Sequence, residues 1–156
     1  MANLKDGDTT ILKVAEWFLH KKSFTHKQLQ KLCYYAQAWH CALLGRPLFA
    51  EEFQAWIHGP VCPKLYPHYA DYRWNKIPRL AGTSPKFSAE TTDILRAVYN
   101  TYSQFDGAQL ETLTHSELPW QQARGNIPPF EPSESVISTD LMGKFYGEKY
   151  RQAQGD

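Results

Sequence analysis

The sequence predicts a mainly α fold (α+β overall), a compact helical domain with a small antiparallel β element after the second helix. Three observations carry this reading. Apolar residues recur at helical spacing in several separate stretches. One segment between them switches to a period of two. Helix start and stop signals bracket the helical stretches. At 156 residues the chain has the length of one domain, taken as 1–156 with its core over about 10–150. A chain of this size buries roughly 68–70% of its unfolded surface, so neither a disulfide nor a metal is required to hold it.

The first helix is expected over about Thr10 to Lys22, where Ile11, Val14, Ala15 and Phe18 recur beside Trp17. The second has the clearest start in the chain. Thr25-x-x-Gln28 forms a capping box, and Phe24 and Leu29 occupy the hydrophobic-staple positions. Leu29, Leu32, Cys33, Ala36, Trp39, His40 and Leu43 mark one face, and Gly45 followed by Pro47 stops the helix. This is the expected central helix.

Phe53, Ala55 and Ile57 then alternate with Gln54, Trp56 and His58, as a short strand would. His58-Gly59-Pro60-Val61 reads as a strand-to-helix corner: Gly59 turns, Pro60 ends the ladder, and Pro63 opens the next helix. That helix carries Leu65, Tyr66 and Tyr69, with Pro67 kinking or splitting it. Residues 74–86 read as a loop with one brief strand near Lys76–Leu80, able to pair with the first. Ser88 caps a third long helix that buries Ile94, Leu95, Val98, Tyr99, Tyr102 and Phe105. Asp106-x-x-Gln109 starts a shorter helix with Leu110 and Leu113. After a Pro-rich loop, a last helix begins at Ser138 with Leu141, Met142, Phe145, Tyr146 and Tyr150 inward.

Charge and composition narrow the function. The net charge of +1 argues against a general nucleic-acid binder, which needs a basic face. The charge is nevertheless uneven: residues 1–50 carry seven Lys/Arg against three Asp/Glu, and residues 101–156 carry four against eight. Cys33, Cys41 and Cys62 are odd in number and form no CxxC pair, which points to a reducing compartment. MANLKDGDTT holds no apolar leader segment, and the expected location is the cytoplasm.

The catalytic candidates are thin. Cys62 with His58 or His115 is the best nucleophile–base pair, but no third group stands at a recognisable orienting offset. No HxxxH, HExxH, CxxC or glycine-rich phosphate motif is present, so neither a metal nor a cofactor is expected. His20 and His26 flank a turn and are placed in water, while His40 is placed as a hydrogen-bonded core residue. Lys21, Lys22, Lys27 and Lys31 at the join of the first two helices read as a solvated corner rather than a DNA-reading element. What remains is protein recognition. Trp39, Trp56, Trp74 and Trp120, with Tyr66 and Tyr69, exceed what one small core needs. Trp56 falls on the strand face opposite Phe53 and Ala55, where a helix or a partner must cover it.

Three blocks then resemble the Panacea domain, the SocA-like antitoxin family that includes phage-associated GepA-type proteins. They are HKQLQKLCYYAQAW (26–39), RPLFAEEFQAWIHGPVCPKLY (46–66) and LTHSELPWQQAR (113–124), in the family's order and covering about residues 10 to 147. The resemblance implies a non-enzymatic antitoxin that binds a cognate toxin encoded by a neighbouring gene, in a bacterium, phage or prophage. From the charge and the lack of a long apolar run, neither a membrane nor a nucleic-acid partner is expected, and self-association is left open. Direct occlusion is the expected mechanism; delivery of the toxin to a protease and regulation of a phage or toxin operon are the alternatives. Longer family members carry extra modules, and the short segment ahead of the first helix departs from them, so autoregulation through a dedicated DNA-binding domain is not expected. The partner-contact candidates are Trp56, His58, Pro60, Tyr66, Trp39 and Trp120. Gly59, Val61, Pro63, His115 and Gly45 are assigned structural roles.

Overall fold

Helix α1 (Ile11–Lys21) packs against helix α2 (His26–Leu44), which is the axis of the molecule. The computed structural model describes residues 9–155. The capping box of α2 is complete: the Gln28 N–H donates to Thr25 Oγ1 at 3.2 Å, and the Thr25 N–H donates to Gln28 Oε1 at 2.9 Å. At the other end Gly45 adopts φ 74 and its N–H donates to Cys41 O at 3.0 Å, the left-handed stop that glycine accepts without a Cβ penalty.

One expectation about α2 is corrected. It does not present a single apolar stripe but is buried on nearly every side, Gln30, Lys31, Tyr34, Tyr35 and Gln37 included. Leu43, placed in the stripe, is exposed. The physical reason lies in the chain that wraps the helix, because buried irregular backbone must find hydrogen-bond partners. Gln37 supplies two of them to the Pro47-Leu48-Phe49 segment, accepting from the Leu48 N–H and donating to Phe49 O, both at 2.8 Å. Gln30 accepts from the Cys62 N–H at 2.9 Å and donates to Cys62 O at 3.4 Å. His40 Nδ1 lies 2.7 Å from Arg46 O. These side chains behave like pieces of backbone, and burying them stabilises the loops rather than costing the helix.

Strand β1 (Phe24–Thr25) precedes α2, and β2 (Gln54–Trp56) and β3 (Gly59–Val61) follow it as an antiparallel hairpin. Gly59-Pro60 therefore opens a second strand instead of turning directly into a helix. Pro60 fits because it faces Ala55 in the register, and Ala55 directs both its backbone groups away from β3. Its N–H donates to Ser135 O at 2.9 Å and its carbonyl accepts from Arg124 at 3.0 Å. A missing N–H at such a position on a short edge strand leaves no ladder bond unmade.

Helix α3 (Tyr66–Tyr69) carries Pro67 in its first turn, where it is tolerated, so Pro67 starts the helix rather than kinking it. A 3₁₀ turn (Ala70–Tyr72) continues it. Strand β4 (Lys76–Ile77) pairs with β1, not with β2 as expected, with Phe24 opposite Ile77. Helices α4 (Ala89–Tyr102) and α5 (Gly107–His115) pack on α2, with Ser88 and Asp106 capping them as expected, and α6 (Leu118–Arg124) packs on α5, β2 and the last helix. Helix α7 (Thr139–Gly155) lies along α2 and buries Met142 and Tyr146; Tyr150, expected inward, is exposed. The fold is mainly α with two small antiparallel two-stranded sheets.

Candidate functional site

The hairpin tip is built around two lysines and two glycines. Ile57 and His58 form the turn between Trp56 and Gly59. Gly59 takes φ 111, and a Cβ there would stand 2.7 Å from Lys31 Cε and 3.1 Å from Thr114 Oγ1. Only glycine satisfies both the backbone angle and the space. Lys31, expected in water, is 1% exposed beneath it. Burial, and then repulsion from Lys27, bring its amine down to about 7, with Glu111 opposing them. Gly107 makes the same kind of room for Lys27, whose Cδ lies 2.9 Å from where a Cβ would sit.

Above these stems lies a carboxylate held between two bases. Lys27 Nζ donates to Glu111 Oε1 at 2.5 Å, and His58 Nδ1 stands 3.1 Å from the same oxygen. Burial alone would push the Glu111 carboxyl up, but the Lys27 hydrogen bond and the charges of Lys27, His58 and His115 hold it below its ordinary value. Behind the hairpin His115 stacks on Trp120, with centroids 3.9 Å apart and planes 20° apart. The Trp120 indole N–H donates to Trp56 O at 2.9 Å, which ties α6 to the hairpin. His115 Nε2 is buried with no partner, and burial lowers the ring's pKa.

An aromatic ridge runs from the hairpin to the following loop. Trp56 and Tyr66 lie with ring centroids 5.3 Å apart, and Tyr66 rests on His26 at 4.8 Å. His26, also expected in water, is 6% exposed; burial and then Lys31 bring its pKa down to about 4. Tyr66, His26 and Lys27, together with Asp71, Arg73 and Trp74, line a groove of about 700 Å³. Trp74 is 78% exposed. Arg73, at φ 55 and ψ −118, is the one non-glycine residue with positive φ among the described residues. Such strain is kept only where surrounding structure holds it.

The six partner-contact candidates from the sequence divide. Trp56, His58 and Tyr66 share the surface just described. Pro60 and Trp120 are buried and present no surface to a partner, because the hairpin ladder takes one and the His115 stack takes the other. Trp39 stands elsewhere, half-buried, its indole N–H donating to Tyr102 O–H at 2.8 Å. Gly59, Val61, Pro63, His115 and Gly45 lie at turns, the strand and element ends. Cys62 is fully buried and burial raises its thiol pKa, the opposite of an activated nucleophile.

Sequence reading missed Lys27, Lys31 and Glu111 as members of one cluster, and it missed Glu117 altogether. Glu117 is 3% exposed at the start of α6. Its Oε1 accepts from Tyr35 at 2.7 Å and from Tyr146 at 2.8 Å, and Lys149 approaches Oε2 at 3.4 Å. The Tyr34 hydroxyl extends this network to Tyr146 at 3.1 Å. The available signal was the adjacent pair Tyr34-Tyr35 on the central helix and a lone acid directly before Leu118-Pro119.

A family model described as antitoxin SocA-like, Panacea domain, matches residues 29–121. The chain belongs to this family, and the membership supports an antitoxin role. The match takes in most of α2, the hairpin, Tyr66 and Trp74, and both Glu111 and Glu117. Searches of curated proteins and of solved structures returned no match. Among the described residues no helix is long and apolar enough to cross a membrane, and no three His, Cys, Asp or Glu side chains gather as a metal site would require.

Proposed function

We propose that this chain is the antitoxin of a toxin–antitoxin pair and neutralises its toxin by direct binding, without a catalytic step. The contact surface is the ridge of Trp56, His58, Tyr66 and Trp74. The observation that carries this reading is the exposed Trp74 sharing one groove with Tyr66, beside the strained Arg73. Trp, Tyr and Arg are the residues that dominate protein interfaces, and this surface assembles all three.

The test is co-expression with the product of the neighbouring gene, scored for growth and for co-purification. Rescue of growth with a stable complex is the expected result, lost on Tyr66→Ala and Trp74→Ala while the variants remain folded. Rescue accompanied by loss of the toxin and no complex would replace occlusion with delivery to a protease. A neighbour that is harmless when expressed alone would overturn the antitoxin reading.

A further inference from the structure

Around Glu111 gather Lys27 and Lys31 from α2, His58 from the hairpin tip and His115 from α5, while the adjoining groove adds Asp71 and Arg73. Asp106, the nearest acid before Glu111 on the chain, is occupied in capping α5, accepting from the Gln109 N–H at 2.8 Å. Lys27 and His58 converge on a single oxygen, Glu111 Oε1, and the Glu111 side chain is 24% exposed. The His58 side chain is 73% exposed, so a second carboxylate reaches it from solvent. Lys27 also lines the groove beside Tyr66, which places Lys27 and His58 within reach of anything seated on the ridge.

We infer that Glu111 is an internal placeholder for a carboxylate of the partner: an Asp or Glu of the toxin, carried next to an apolar residue, takes Lys27 and His58 in place of Glu111 while the apolar residue covers Trp56 and Tyr66. The inference rests on the direct-binding reading and names the chemistry of the segment that binds. Three features of the site fit it. The two bases are held ready, because the stem of Lys27 is fixed against Gly107 and the imidazole sits on a two-residue turn closed by Gly59. The displaced Glu111 has water to go to. A second carboxylate also offsets the repulsion between Lys27 and the Lys31 below it, whereas a partner lysine would add to that repulsion.

The test uses three short fluorescent peptides with a central Trp-Leu pair flanked by Glu, by Gln or by Lys, titrated against the full chain. The Glu peptide is expected to bind about tenfold more tightly than the Gln peptide, with the advantage shrinking as salt rises. Glu111→Gln should tighten the Glu peptide by about fivefold, since no internal acid has to leave. Lys27→Met, which keeps the stem on Gly107, and His58→Gln should each remove the preference. Equal affinity for the three peptides, no binding of any, or a Glu111→Gln variant that weakens binding as Lys27→Met does, would overturn the inference. Growth rescue is scored separately. Rescue with no Glu preference overturns the carboxylate site alone, and a Glu preference with no rescue overturns the antitoxin reading alone.

Discussion

Glu111 and Glu117 stand six residues apart, one on α5 and one at the start of α6, and the chain treats them in opposite ways. Glu117 is closed off from water, and tyrosine hydroxyls from α2 and α7 meet its carboxylate at 2.7 and 2.8 Å. Glu111 reaches solvent and is met by an ammonium and an imidazole that are themselves partly exposed. Burial makes the first a fastener between helices, since removing it leaves hydroxyls without an acceptor in a dry site. Exposure makes the second a weak internal pair, because water and salt screen it and another carboxylate can replace it. The same side chain is a buried fastener in one place and a partly exposed ion-pair partner in the other, and solvent access decides which.

The contrast can be broken most severely at Glu117. Glu117→Ala should destabilise the fold by about 3 kcal/mol in urea denaturation, the cost of stranding buried polar groups. Glu111→Ala should change it by less than about 1 kcal/mol; equal losses would erase the distinction. Gly59→Ala comes next, at about 2 kcal/mol, because the new Cβ meets both the positive φ and the Lys31 stem.

The pH dependence sharpens the comparison further. Lys31 titrates near 10.5 when unfolded and about 7 when folded, so between those values the unfolded chain holds the extra proton. Stability therefore rises with pH across that window, and what is gained above it is lost as pH falls toward 7. Lys31→Met should flatten the dependence and be about 1–2 kcal/mol more stable than the parent at pH 7; an unchanged slope would show that the amine reaches water. His26 acts with the same sign lower down, with stability lost as pH falls from 6.5 toward 4. The smallest effect on the fold is expected at Trp74→Ala, within about 0.5 kcal/mol, because the ring is 78% exposed. Its effect should appear in growth rescue instead.

Local signals in the sequence were read correctly where the interaction is local. Thr25 and Gln28 close their capping box within one turn of helix, Asp106 and Gln109 do the same, and Gly45 stops α2 by its own backbone freedom. The β element failed where distance entered. Gly59-Pro60 looked like a corner because proline interrupts ladders, and only the outward-facing backbone of Ala55 reveals why it sits in one. The strand at Lys76 found β1, while β2 took β3 as its ladder partner. Polar residues on α2 were the least legible. Lys31 read as part of a solvated corner and Gln30 and Gln37 lay outside the expected apolar face, yet all three are buried because later segments wrap over them.

Trp56, His58 and Tyr66 come from one dense motif and stand together at the hairpin and the turn that follows it. Trp120 and Pro60 are buried, since exposure is not written in the identity of a tryptophan or a proline. What the sequence by itself determined is what adjacent residues settle among themselves: helix starts and stops, the family and the helical class. The tertiary structure alone decided which acid is dry and which is wet, which lysine is buried, and which aromatic rings are left facing outward. Those outcomes depend on residues far apart in the chain sharing one volume, and burial belongs to that shared volume rather than to any residue in it.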